Sequence, residues 1–128
     1  MKLDYKPPGP VAKAFMKDRS FVRGIRGPVG SGKSVASCME LMRIAITQSP
    51  NKQNVRRTRF AVIRNTNPQL KTTTIKTWRD WFSDDIGRFV WSPPYTHNVN
   101  FVLGDGTTVE SEVIFLALDK QEDVKKLL

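Results

Sequence analysis

The residues best suited to chemistry form one segment, Gly27-Pro28-Val29-Gly30-Ser31-Gly32-Lys33-Ser34, which matches the phosphate-binding pattern G-x-x-x-x-G-K-[ST] at every fixed position. In such a loop the glycines let the backbone curl until successive N–H groups point at phosphate oxygens. We expect Lys33 to stabilise the β- and γ-phosphates and Ser34 to bind Mg²⁺ through its hydroxyl. The spacing therefore predicts a site for a nucleoside triphosphate, ATP, together with Mg²⁺.

Two flanking elements must position this loop. The apolar run Phe21–Ile25 predicts a buried strand before it. Residues 35–47 predict a helix after it, because apolar side chains recur at spacings of three and four. The amino end of that helix would direct its positive dipole end at the bound anion. Strand, loop and helix thus follow in the order that the motif requires.

Length and composition limit the remaining possibilities. With 128 residues the chain is one domain or part of one, and no long apolar run or signal-peptide pattern appears. We expect an unexported protein with no membrane partner. A single cysteine, Cys38, and a single histidine, His97, cannot build a zinc or iron site. Cys38 is therefore predicted to be core packing, and Mg²⁺ bound with nucleotide is the only metal expected.

Charge is distributed unevenly along the chain, whose net charge is +9. Residues 1–79 hold 17 Lys and Arg against 3 acids, whereas residues 80–128 hold 4 against 9. The stretch Leu41–Arg79 has nine basic residues and no acid, which favours contact with nucleic acid through its phosphates. The alternative is a solvated basic face neutralised by the acidic half or by another subunit. The candidates for contact with DNA or with a neighbouring subunit are Arg56, Arg57, Arg64 and Lys71.

Residues 1–20 are predicted to form an arm and a short helix. The prolines of Lys6–Pro10 favour an extended arm, and Val11–Lys17 predicts a helix with Val11, Ala14 and Phe15 on one face.

The rest of the chain predicts alternating elements. Arg59–Arg64 has the pattern of a buried parallel strand. Residues 98–112 predict a β-hairpin that continues into a buried strand over Val113–Leu118. Between them an amphipathic helix is expected, whose aromatic side chains we interpret as core or interface rather than as base-stacking platforms. Its apolar face is formed by Leu70, Thr74, Ile75, Trp78, Trp81 and Phe82. This order predicts an α/β fold with a parallel sheet plus a β-hairpin.

Hydrolysis needs more than the phosphate loop. An acid on a neighbouring strand must hold Mg²⁺, and a further group must orient the attacking water. Asp119 follows an apolar strand as such an acid would, but its neighbour is Lys120. The next acids lie in a predicted helix, Gln121–Leu128. We expect the chain to end before its catalytic acid, which leaves the catalytic residues unassigned and Asp119 a secondary candidate.

Three stretches of sequence together resemble the start of the ATPase domain of the large terminase subunit of tailed bacteriophages. They are RGIRGPVGSGKS at 23–34, FAVIRNT at 60–66 followed by PQLKTTT at 68–74, and FLALDK at 115–120 followed by EDVKKL at 122–127. The resemblance covers roughly Ala12–Leu128. The first stretch is common to many nucleotide-binding proteins, whereas the second and third in this order are more specific.

The resemblance implies a RecA-like (ASCE) P-loop NTPase core, incomplete at its C-terminus. Residues 21–128 would be the N-terminal part of the ATPase domain, with the Walker B strand and the nuclease domain absent. It also implies a homo-oligomeric ring in the host cytoplasm. That ring would bind a portal and a small terminase subunit and drive double-stranded DNA into a procapsid by ATP hydrolysis.

The resemblance also affects two residue assignments. Asp119 would not be the Walker B acid. Many large terminases carry an arginine where this chain has Val29, so an arginine finger must come from elsewhere. The candidates for that role are Arg23, Arg26, Arg56, Arg57 and Arg64.

Two other functions remain open from the sequence. One is a truncated, non-catalytic module that binds nucleotide or DNA. The other is a P-loop kinase acting on a small molecule, which would leave the acid-free basic stretch unexplained.

Overall fold

The computed structural model describes residues 5–26 and 32–118, whose helices cover one face of a four-stranded open sheet. The elements are α1 (Pro10–Lys17), α2 (Lys33–Thr47), β1 (Val55–Arg64), α3 (Asn67–Gln69), a π-helical segment (Leu70–Ile75), α4 (Lys76–Trp81), a 3₁₀ turn (Asp84–Ile86), β2 (Gly87–Val90), β3 (Tyr95–Val102) and β4 (Thr108–Ala117).

The sheet has the order β1-β4-β3-β2 and is mixed. β1 and β4 are parallel, in register from Val55 opposite Thr108 to Arg64 opposite Ala117. β3 is antiparallel to both of its neighbours, β4 and β2. The predicted α/β class and hairpin are therefore confirmed, while parallel pairing is limited to one pair of strands. A short hairpin connection can join only antiparallel strands, and this accounts for the β3–β4 pair.

The core lies between the sheet and two helical elements, α2 and the helical region 67–81. Alternate residues of β4, such as Val113 and Phe115, point into it and are 1% exposed. Cys38 also belongs to this core, and burial raises the pKa of its thiol to about 11. Its predicted packing role is confirmed. The largest fully buried side chains are Trp78, Phe82, Phe115, Met42, Leu70 and Ile75.

The helical region 67–81 departs from a regular α-helix in its middle. Leu70 and Ile75 are both 1% exposed although they are five residues apart, a spacing that an α-helix would turn to different sides. The π-helical segment hydrogen-bonds from i to i+5 and brings them to one face. The expected apolar face is corrected at two positions, since Thr74 is only half-buried and Trp81 is 40% exposed.

Two other predictions of local structure are wrong. Phe21–Ile25 forms no strand, and Phe21 and Val22 are almost fully exposed. An isolated strand leaves its backbone polar groups unpaired, and none of the four described strands pairs with this segment. In α1 the buried residue is Ala12, whereas Val11 is 63% exposed, because this helix packs on α2 through another face than the one predicted.

A hydrogen-bonded chain crosses the core behind the sheet. The indole Nε1 of Trp78 donates to Nδ1 of His97 at 2.8 Å, and Nε2 of His97 lies 2.9 Å from the carbonyl oxygen of Gly87. Because Nδ1 accepts, Nε2 carries the proton and the imidazole is neutral. Both side chains are fully buried. Burial lowers the pKa of His97 below its ordinary value of 6.5, and the positive charge of Arg79 acts in the same direction.

This arrangement predicts that acid weakens the fold. Below a pH of about 6.5 the unfolded chain takes up a proton at His97 that the folded chain resists, so stability is lost as pH falls from there toward the lowered pKa. The free energy of unfolding in urea should therefore drop between about pH 7.5 and about pH 5.5. In the control His97→Gln, which cannot titrate, this drop should be smaller. Equal drops in both proteins would contradict the prediction.

Candidate functional site

The structure describes only the end of the predicted phosphate loop. Gly27–Ser31 lies outside the described residues, whereas Gly32, Lys33 and Ser34 are within them. Gly32 caps α2 with φ +82°, a left-handed conformation that favours glycine, and its carbonyl accepts from the N–H of Ala36 at 2.9 Å. The helix predicted after the motif is confirmed, and it begins within the motif at Lys33.

The amino end of α2 lies toward the carboxyl ends of the parallel strands. The connector after α2 is short, and the carbonyl of Gln48 accepts from Nη1 of Arg56, at the start of β1, at 2.5 Å. Because α2 packs back along β1 and β4, its other end approaches the edge where Arg64 and Ala117 end these strands. Open α/β sheets bind ligands at this edge.

The electrostatics of this helix end favour an anion. No side chain caps α2, and no acidic residue lies in its first turn. The first turn of α2 therefore supplies no carboxylate to offset the positive end of the helix dipole, and Ser34 is exposed there. A phosphate group at this position would be stabilised by backbone N–H groups and by the dipole together.

The N-terminal arm lies beside this helix end. A Cβ atom added at Gly32 would be 2.7 Å from Cγ of Pro8, so glycine allows the close approach. Further back, the ring of Tyr5 packs edge-on against Trp81 with centroids 5.7 Å apart. The predicted arm thus runs from α4 to the start of α2.

The four predicted DNA-contacting residues are not brought together. Arg56 and Arg57, near the start of β1, pair with Asp105 at 3.2 Å and Glu110 at 3.4 Å. The parallel register also places Arg59 opposite Glu112, 3.6 Å away. For these arginines the alternative interpretation, neutralisation by the acidic half, fits the observed pairing.

Arg64 and Lys71 lie at the opposite edge, where β1 and β4 end, since Arg64 is the last residue of β1 and Lys71 lies beside Tyr95, which pairs with Phe115. Arg64 leaves β1 on the same side as Phe60 and Val62, which pack on the core, and its Nε is buried without a hydrogen-bond partner among the described residues. The Nζ of Lys71 lies 5.6 Å from the ring centroid of Tyr95. Asp119, the candidate acid, follows β4 in the sequence and lies outside the described residues.

Sequence reasoning missed an ionic cluster next to the motif. Glu40, in α2, has a side chain only 4% exposed, and its two oxygens each accept from Nε of Arg43 at 2.9 Å. Arg23 lies 3.0 Å from the same carboxylate and Arg19 lies 3.8 Å away. Burial alone would raise the pKa of Glu40, but the hydrogen bonds and charges of Arg43 and Arg23 outweigh it and lower the pKa. The feature of the sequence that could have indicated this cluster is an acidic residue among the apolar positions of α2.

A groove of about 610 Å³ adjoins the described segment that leads into the motif. It lies between α1 and residues 23–26, with Phe15 and Ile25 among its apolar lining and Arg23 and Arg26 among its polar lining. Its size and mixed lining suit a small organic ligand.

No family model, curated protein or solved structure matches this chain. The resemblance to terminases therefore depends on the motif residues alone. None of the helices within 5–26 and 32–118 is long and apolar enough to cross a membrane. The same ranges contain no group of three or more His, Cys, Asp or Glu side chains that could hold a metal ion.

Proposed function

We propose that this chain binds ATP and Mg²⁺ through Gly27–Ser34 and is the nucleotide-binding part of a DNA-packaging ATPase of the terminase large-subunit type. Lys33 would stabilise the β- and γ-phosphates and Ser34 would bind the metal. Hydrolysis coupled to translocation of double-stranded DNA, in a ring with portal and small-subunit partners, belongs to the same proposal and depends on the sequence resemblance.

The observation that carries the proposal is the start of α2. A long helix without a side-chain cap begins inside the motif, and its capping glycine is left-handed. We infer that its amino end faces the carboxyl ends of β1 and β4, because its other end is joined to the start of β1 through the Gln48 carbonyl. Phosphates bind at such helix ends in open α/β folds. The groove between α1 and residues 23–26, beside the chain that enters the motif, has a volume of about 610 Å³, within the range of small-ligand sites.

Arg64 and Lys71 give a second, weaker argument for contact with a polyanion. They lie at the edge of the sheet where β1 and β4 end, and neither appears among the ion pairs of the described residues. Arg56 and Arg57 support this role less, because each already faces an acid. Either of the first two could contact DNA or a nucleotide on a neighbouring subunit.

Replacing Lys33 with alanine should abolish tight ATP binding and preserve the fold. A charge-assisted contact to phosphate contributes about 1.5–3 kcal/mol, so the Kd for ATP should rise by about tenfold to a hundredfold. Alanine is a good helix former, so α2 should persist. Fluorescent ATP-analogue titration measures the Kd, and circular dichroism checks the fold.

The matched control is Lys52→Ala, in the exposed connector after α2. It removes the same charge away from the site and should leave the Kd unchanged. Equal affinities of wild type and Lys33→Ala for ATP would contradict the proposal. Phosphate release by the same preparation, with and without duplex DNA, then separates the packaging ATPase from a non-catalytic module, which would bind ATP without turnover.

A further inference from the structure

The segment that leads into the phosphate loop is held by a side chain and not by sheet pairing. Nη1 of Arg23 donates to the carbonyl oxygens of Phe15 at 3.0 Å and Asp18 at 2.8 Å. The same atom lies 3.0 Å from Oε1 of Glu40, and the guanidinium carbon lies 5.2 Å from the centroid of the Phe15 ring. Arg23 is only 15% exposed, so solvent competes little for these contacts.

These contacts join the two sides of the motif. Arg23 precedes Gly27 by four residues, and Glu40 lies on α2 beyond Ser34. The ion pair therefore fixes the distance between the chain entering the loop and the helix leaving it. Arg43 holds the Glu40 carboxylate in place from the other side through two 2.9 Å hydrogen bonds.

We propose that the Arg23–Glu40 ion pair holds the chain that enters the motif against α2 and thereby favours binding of triphosphate at the start of that helix. This inference rests on the proposed function and assigns Arg23 a role in cis, as a positioning residue. The ion pair takes the place of the backbone pairing that would hold the strand predicted at Phe21–Ile25. A flank without backbone pairing can move relative to α2 unless a buried contact restrains it, and binding then carries the cost of ordering it.

The test is the affinity for ATP of Arg23→Gln, measured where circular dichroism shows every variant fully folded. We expect the Kd to rise about tenfold or more, because the cost of ordering the unrestrained flank is then taken from the binding free energy. Glu40→Gln should have a similar effect. The double variant should be no worse than the poorer single variant, because both remove the same contact. Arg23→Lys keeps the charge and should recover part of the affinity.

Arg79→Gln is the matched control. The Arg79 side chain is 22% exposed and joins α4 to Asp84 through a 2.9 Å ion pair, and it lies over the ring of Phe89 in β2, the edge strand farthest from β1. Its loss should lower the melting temperature much as the loss of Arg23 does, yet leave the Kd within about twofold of wild type. A merely structural role for Arg23 would make the two variants indistinguishable in Kd.

The outcomes separate the two proposals. If wild type binds ATP and Arg23→Gln binds equally well, the positioning role is wrong and the nucleotide site stands. If wild type does not bind ATP, both are wrong. Should Arg23→Gln fail to fold, Arg23→Lys and Glu40→Gln replace it, and unchanged affinity in both would overturn the positioning role.

Discussion

Trp78→Ala is expected to cost about 3–5 kcal/mol of the free energy of unfolding, the range for deleting a large buried aromatic side chain. Trp78 is 1% exposed and packs against Phe82 and Phe115, with centroids 4.5 Å and 5.8 Å apart. Its loss opens a cavity between helix and sheet, and it leaves Nδ1 of His97 without its donor. Urea unfolding followed by far-ultraviolet circular dichroism measures the change.

Two further variants divide this effect into its parts. Trp78→Phe keeps an aromatic ring but removes the indole N–H, so it should cost about 1–3 kcal/mol for the orphaned acceptor. Trp91→Ala removes a tryptophan that is 57% exposed and should cost about 1 kcal/mol or less. A Trp78→Ala protein as stable as Trp91→Ala would contradict this account of the core.

The elements predicted from sequence are those with a clear period and length. α2 followed from apolar residues at helical spacing, and the hairpin from alternation on either side of Gly104–Gly106. The pattern of β1 was recognised only from Arg59 onward, although the strand begins at Val55. Three of its four earlier residues are polar, and their pairing with β4 is a tertiary contact that local propensity does not report.

The failures have a common physical cause. Phe21–Ile25 has the composition of a buried strand, but a strand exists only where a neighbour accepts its hydrogen bonds. β2 was not predicted because it is only four residues long. It also depends on the positive φ of Gly87, which the sequence pattern does not indicate. In both cases the deciding factor is pairing with another strand, which the residue types of the segment alone do not report.

The candidate site likewise has a part that the sequence predicted and a part that depends on tertiary contacts. The motif alone indicated where α2 begins, because its spacing encodes local backbone geometry. The pairing of Arg57 with Glu110 and of Arg59 with Glu112 required the β1–β4 register. The alternate arginines Arg57 and Arg59 and the alternate glutamates Glu110 and Glu112 are visible in the sequence. The overall charge asymmetry nevertheless favoured a basic surface over pairing between these two groups.

The same limit applies to the ionic cluster beside the motif. Glu40 is one of three acids in residues 1–79, and its burial among Arg23, Arg43 and Arg19 depends on how α1 and α2 pack. A charge block seen in sequence therefore overstates the charge that a ligand would meet. Local neutralisation leaves Arg64 and Lys71 as the better candidates for a polyanion.

Gly87→Ala is expected to lower the free energy of unfolding by about 3 kcal/mol or more, because both the backbone conformation and the neighbouring atoms at this position exclude a side chain. Its φ of +128° and ψ of 161° lie in a region that is essentially restricted to glycine. A Cβ atom there would also lie 2.0 Å from the backbone oxygen of Asn98 and 2.8 Å from the backbone nitrogen of Asn100. Alanine must therefore push β2 away from β3, which displaces the carbonyl that accepts from His97.

Gly104→Ala is the matched control for this prediction, because no atom lies within 4 Å of its added Cβ and it carries no left-handed strain. It should change the free energy of unfolding by about 1 kcal/mol or less, in either direction. Gly87→Ala should also enlarge the drop in stability toward acid, because the hydrogen bond to the Gly87 carbonyl raises the pKa of His97 and its loss lowers that pKa further. Loss of stability with an unchanged pH dependence would mean that β2 yields without disturbing His97, and the buried hydrogen-bonded chain would then be less rigid than its geometry implies.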